Sequence, residues 1–248
     1  MKRHPAWIVP EWKAPATVGA LVTTRAGGTS TGPYAGLNLG AHVGDDPGAV
    51  ERNRLVLNRA LPTEPTWLAQ VHGVEVVAVE GASSGAQGDA AVAREVGGVC
   101  AILTADCLPV LFADRQARVV AAAHAGWRGL AGGVLERTLA AMAVDAHDVC
   151  VWLGPAIGPA AFEVGEEVRA AFCDVDADAE AAFFPGRAMG KWHADLWQLA
   201  RRRLRLAGVE AIHGGGVCTY TDAERFYSYR RDGVCGRFAS LIWLGAAC

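Results

Sequence analysis

The chain has 248 residues, enough to bury one sizeable core, and its 52% hydrophobic and 20% charged residues are a globular balance without a low-complexity tract. A formal net charge of −3 offers no bulk attraction to polyphosphate, which excludes an electrostatic case for nucleic acid, and no uncharged apolar run approaches the roughly 20 residues of a membrane helix. Seven scattered cysteines (100, 107, 150, 173, 218, 235 and 248) and an N-terminus in which Pro5, Pro10 and Glu11 interrupt any signal core predict a reduced, cytoplasmic protein, one domain over 1–248 and a monomer.

GALVTTRAGG (19–28) reads as a strand entering a glycine turn, and VEVVAVE (74–80) as a second strand. Between them lies a long stretch rich in Gly, Pro, Asn and Asp, before a helix that starts near Pro47. The loop from Thr29 to Gly44 is expected to lie over a pocket and to contribute Asn38 or His42. VCAILTADCLPVLFAD (99–114) and ARVVAAAHAGW (117–127) flank the polar turn Asp114-Arg115-Gln116, which predicts a buried hairpin. Leu130, Val134, Leu135, Thr138, Leu139 and Met142 recur at helical spacing, so a helix is expected over about 129–143. DVCVWLGPAIG reads as a strand ending in a Gly/Pro turn. Asp195 caps a helix whose apolar face is Leu196, Leu199, Ala200 and Leu204 and which ends at Gly208. Strands near 211–217 and 237–244 close the chain. Strands and helices interleave without a regular βαβ beat, so the expected class is α+β, with mixed or antiparallel sheets covered by helices.

The hairpin carries two residues that an apolar core does not require, Cys107 and His124. With His72 in WLAQVHGVEVV they would make a three-ligand zinc site with one position open for water or substrate. Spacings of 35 and 17 residues are not a local metal motif, so a buried structural cysteine with two satisfied histidines stays open as the alternative. Alternation places Asp106 opposite Cys107 unless the chain bends at Pro109, and Asp106 could then orient a ligand or satisfy backbone donors.

TTRAGG, LNLGAHVGDDPGAVERNR, QVHG, GDA, TADCLPV, AHAGWRGL, LGPAIGP, FEVG, HADLW and FYSYRRDGVCGR occur in this order. Together they resemble the YfiH-like family, long labelled multicopper polyphenol oxidoreductase or laccase-domain proteins. The resemblance implies a fold related to cysteine-dependent toxin deamidases, and zinc held by His72, Cys107 and His124. It also implies a purine nucleoside phosphorylase acting on adenosine, inosine, guanosine or methylthioadenosine with phosphate, and adenosine deaminase activity at the same site. Phosphorolysis needs an anion site beside the ribose C1′. Arg25, Arg230 and Arg231 are the candidates, with Ser228 as an added hydroxyl donor and Asn38 on the loop. Each arginine can equally be structural. A proton shuttle is also required, and Asp106 or Glu163 could serve. Neither HxE nor PCxxC, the cytidine-deaminase signature, is present.

Three other readings compete. Cys107 and His124 could form a cysteine hydrolase, although a nucleophile bound to zinc is poorly available. A zinc-stabilised interaction module would need a closed set of four ligands, and only three are convincing. The laccase label needs about ten histidines with several His-X-His pairs. This chain has seven (4, 42, 72, 124, 147, 193 and 213), none two apart.

Overall fold

The computed structural model describes residues 4–246, so Cys248 of the cysteine count lies outside the described residues. In chain order the elements are β1 (Val18–Val22), α1 (Pro47–Asn58), β2 (Val76–Ala78), β3 (Ala90–Ala93), β4 (Val99–Thr104), β5 (Leu108–Asp114), β6 (Val120–Ala125), α2 (Trp127–Gly132) and α3 (Val134–Met142). They continue with β7 (Val149–Leu153), β8 (Glu163–Gly165), α4 (Glu166–Cys173), β9 (Phe183–Pro185), β10 (Lys191–Ala194), α5 (Leu196–Leu206), β11 (Ala211–Gly214), α6 (Tyr229–Asp232) and β12 (Phe238–Leu244). No helix among the described residues is long and apolar enough to cross a membrane.

Mixed and antiparallel sheets carry the fold. A six-stranded sheet runs β11-β7-β5-β6-β3-β2, a three-stranded sheet runs β1-β12-β4, and a small one runs β8-β10-β9. In the large sheet β2–β3 and β7–β11 pair parallel, whereas β5–β6, β5–β7 and β3–β6 pair antiparallel. Successive residues of a strand point to opposite faces, and this large sheet is covered on both. On one face Val110, Phe112, Ala121 and Ala123 meet Leu135 and Leu139 of α3 and Leu199 of α5. On the other, Leu111, Val120 and Ala122 meet Ile102, Phe238 and Ile242 of the β1-β12-β4 sheet.

Two segments depart from the sequence reading. The apolar run 99–114 is two strands in two different sheets: β4 pairs with β12, and only β5 makes the hairpin with β6. The corner between them is at Asp106, whose φ of 93° turns the chain, so the bend precedes Pro109. The helix expected over 129–143 is two helices, α2 and α3, because Gly133 adopts φ 97° and ends the first with a left-handed cap. The remaining shifts are at ends. The strands expected at 19–28, 74–80 and 211–217 are shorter, while α1 begins at Pro47 and Asp195 accepts from the Gln198 N–H to cap α5.

Candidate metal and active site

Residue parity builds the site. Pro109 and Leu111 lie on the face of β5 that also carries Ala122 and His124 of β6, Pro109 is the cross-strand partner of His124, and Cys107 immediately precedes the strand. The start of β5 and the end of β6 therefore present Cys107 and His124 at one end of the seam between the two sheets. His72 arrives from the loop before β2. The ligand atoms of His72, Cys107 and His124 all lie within 4.8 Å of one another. His72 Nε2 is 3.7 Å from Cys107 Sγ, and the two imidazole centroids are 4.7 Å apart, edge on. A Cβ on Gly126 would stand 2.9 Å from both Cys107 Sγ and His72 Cδ2, so the trio can converge only because residue 126 has no side chain.

Asp89, fully buried, organises all of this. His124 Nδ1–H donates to its Oδ1 at 2.8 Å, which leaves Nε2 as the ligand atom of that ring. The N–H groups of Val71 (3.2 Å), His72 (2.9 Å) and Gly73 (2.7 Å) also donate to the same carboxylate. Three consecutive N–H groups reach one anion because His72 takes φ 61°, a left-handed conformation unusual for a residue with a side chain. Burial would raise the Asp89 pKa, yet the His124 hydrogen bond and the Gly73 N–H outweigh it and hold the carboxyl below its usual range. Burial likewise opposes the Cys107 thiolate, but the charge on His124 and hydrogen bonds to His124 and His72 bring the thiol down to about 6. His124 moves the other way, to about 9, because the Cys107 thiolate and Asp89 overcome the lowering effect of burial. One thiolate and two oriented imidazoles fit a borderline-soft metal such as zinc. Among the described residues this is the one group of three such side chains.

The trio stands in a cavity of 410 Å³ whose wall includes His42, Gln70, Tyr229 and Arg237. It adjoins a cavity of 510 Å³ that shares His42 and Gln70 and adds Arg54 over the Trp67 ring. Burial first, then the charges of Arg237 and Arg54, lower the His42 pKa, which marks this side of the pocket as electropositive.

Of the other site candidates singled out by sequence, only His42 lines this cavity. Asp106 turns away from the metal ligands: Thr219 Oγ1 donates to its Oδ1 and the Arg230 N–H to its Oδ2, both at 2.7 Å. It is thus the backbone-satisfying form of the two roles considered for it. Arg25 donates to the carbonyls of Ala35 and Ala223 and lies over the Tyr227 ring, and Arg231 donates to the carbonyls of Thr219, Tyr220 and Phe226 and pairs with Asp232. Asn38 is buried, donating to Asp45 and accepting from the Gly40 and Arg237 N–H groups. Ser228 is buried as the cap of α6. Glu163 and the Arg230 guanidinium line a separate cleft with Arg187 and His193. His42 is the member of the Thr29–Gly44 loop that reaches the pocket. Asp89 and Arg237 were inside the GDA and FYSYRRDGVCGR motifs but had no role assigned. Asp89 shows itself only through tertiary hydrogen bonds, and Arg237 only through the direction of its side chain.

Comparison with known proteins matches residues 19–245 to the family described as multi-copper polyphenol oxidoreductase laccase. A Pseudomonas aeruginosa protein named purine nucleoside phosphorylase is 56% identical over 239 residues, covering 96% of this chain and 98% of its own. The Escherichia coli protein named purine nucleoside phosphorylase YfiH is 55% identical, again over 96% and 98%. The crystal structure of a Neisseria meningitidis protein assigned to a family of unknown function superposes with a TM-score of 0.93 at 50% identity, covering 97% of this chain and all of that one.

Proposed function

This chain belongs to the multi-copper polyphenol oxidoreductase laccase family, and from the geometry of its pocket we propose that it is a zinc-dependent purine nucleoside phosphorylase that also deaminates adenosine. The observation that carries this reading is a metal-ligating trio and a cationic wall in one cavity. The names of the similar proteins support phosphorolysis. Zinc rests on the donor set, and deamination on the family resemblance.

In phosphorolysis a phosphate oxygen bonds to C1′ as the C1′–N9 bond breaks, the electron pair goes to the purine, and the base takes up a proton. Ribose 1-phosphate and free base leave. The anion site assigned to Arg25, Arg230 or Arg231 moves to the cationic group that faces the cavity, Arg237, backed by Arg54, with the His42 imidazole beside it. His42, kept neutral by burial and by the two arginines, can give or take a proton there, in place of Asp106 and Glu163. Asp89 and the 71–73 N–H groups hold His124 and His72 in place, so the site needs little reorganisation. Bound zinc would supply Lewis acidity at the pocket floor.

One group of three ligand side chains among the described residues is far short of a blue-copper site plus a three-copper cluster, so the family's laccase description is not carried over as an activity. A second reading has an observation of its own. Cys107 beside a His124 that is held by Asp89 has the order of a cysteine hydrolase.

The test is to incubate the pure protein with adenosine or inosine, with and without phosphate, and to quantify ribose 1-phosphate and inosine separately. Phosphate-dependent ribose 1-phosphate and one zinc per chain are expected. A metal-free protein whose Cys107 is rapidly alkylated would favour the hydrolase, and several coppers per chain would restore the oxidase.

A further inference from the structure

We propose that Tyr229 is the stacking platform for the nucleobase, and that Asp106 is the positioning residue that sets its ring against the metal ligands; this rests on the nucleoside reading above. The four-residue helix α6 is too short to stand alone and is anchored from outside at almost every polar group. Ser228 caps it by accepting from the Arg231 N–H, and Asp106 accepts the Arg230 N–H. The Arg230 guanidinium donates to the Glu163 carbonyl at 2.9 Å, and the Arg231 guanidinium to the carbonyls of Thr219, Tyr220 and Phe226. Against this anchoring Tyr229 is left 61% exposed at the wall of the cavity that holds His72, Cys107 and His124. An aromatic ring in water gains nothing for the core, so so many contacts spent on fixing it point to a ligand. Arg237 lies over the ring at 6.0 Å from its centroid, which leaves the opposite face for a flat partner. A purine offers that partner, a fused π surface that stacks well on a phenol.

Asp106 links this pedestal to the metal site. One carboxylate holds the Arg230 N–H of α6 and the Thr219 hydroxyl, and its own left-handed backbone forms the corner that presents Cys107. Asp106 is thus in contact with both the pedestal and the corner that carries the thiol.

The experiment titrates inosine, which has no amino group to lose, without phosphate into the metal-loaded, full-length protein by calorimetry, with zinc content measured on each sample. Tyr229→Ala should weaken inosine binding by about tenfold or more while zinc stays bound. Tyr229→Phe should recover most of that loss, because the ring and not the hydroxyl makes the contact. Asp106→Asn keeps one acceptor and loses the other, and should weaken binding by a smaller factor that disappears in the Tyr229→Ala background, since both act through the ring. Unchanged binding in Tyr229→Ala, a Phe variant as weak as the Ala variant, or no inosine binding by the wild type overturns the platform. Additive losses in the double variant overturn the role of Asp106. Ribose 1-phosphate release by the same wild-type sample judges phosphorolysis separately: Tyr229-dependent binding without it keeps the platform and removes the phosphorylase.

Discussion

The two ends of the β5–β6 hairpin each hold a buried carboxylate with a basic partner, yet only one end is a site. At the turn, Asp114 accepts from Arg118 Nε at 2.7 Å and Nη2 at 2.9 Å, and the arginine side chain is 49% exposed. At the other end Asp89 accepts from His124 at 2.8 Å, and both side chains are buried. Arg118 spends its charge on Asp114, on Asp148 at 4.0 Å and on water. His124 spends one nitrogen on Asp89 and keeps the second beside Cys107 and His72. A buried carboxylate is thus no mark of chemistry by itself. What distinguishes the site is a partner with an unspent donor atom aimed at other ligands.

The strongest way to break this contrast is Cys107→Ala. Losing one of three ligands should cost metal affinity more than about 100-fold, beyond what an outer partner usually contributes, and take phosphorolysis with it. Elemental analysis and ribose 1-phosphate release check both, and circular dichroism should show the fold retained. Zinc still bound at one per chain would remove Cys107 from the ligand set.

Next in size is Arg237→Ala, which removes charge-assisted hydrogen bonds worth roughly 1.5 to 3 kcal/mol each, or about ten- to a hundredfold in phosphate KM. Arg25→Ala, whose guanidinium lies outside the cavity wall and donates to the Ala35 and Ala223 carbonyls, should leave phosphate KM alone and lower stability instead. The reverse pattern in steady-state kinetics would return the anion site to Arg25.

Asp89→Asn tests the orienting partner. A loss of about 10- to 100-fold in metal affinity is expected, measured by competition with a chelator. A value equal to wild type would show that His124 needs no partner to hold its ring.

Asp114→Asn supplies the matched control and the smallest effect. It should leave metal affinity unchanged and cost roughly 1 to 2 kcal/mol in urea unfolding at neutral pH. The Arg118 hydrogen bond holds the Asp114 pKa below its unfolded value, so this contribution is present above the unfolded pKa and fades as the pH falls through the folded one. The gap between wild type and variant should close in acid. A gap that persists there would assign the effect to packing instead of charge.

The sequence by itself named the trio. His72, Cys107 and His124 stand in recognisable motifs, and alternation along each strand fixes which of its residues share a face, while the register that pairs Pro109 with His124 belongs to the tertiary structure. Local signals were also sufficient for α1 at Pro47 and the Asp195 cap, since a proline or a capping carboxylate acts on its own few neighbours. Only the tertiary structure decided that 99–114 divides between two sheets at Asp106, that Asp89 reaches His124 across 35 residues, and that Arg237, which also donates to the carbonyls of Cys235 and Gly236, lines the cavity while Arg25, Arg230 and Arg231 serve carbonyls outside it. An arginine's composition and charge are the same in either role. Which carbonyls lie within reach of its guanidinium is set by the packing of segments distant in sequence, as with Arg231 and Thr219, and no local pattern records it.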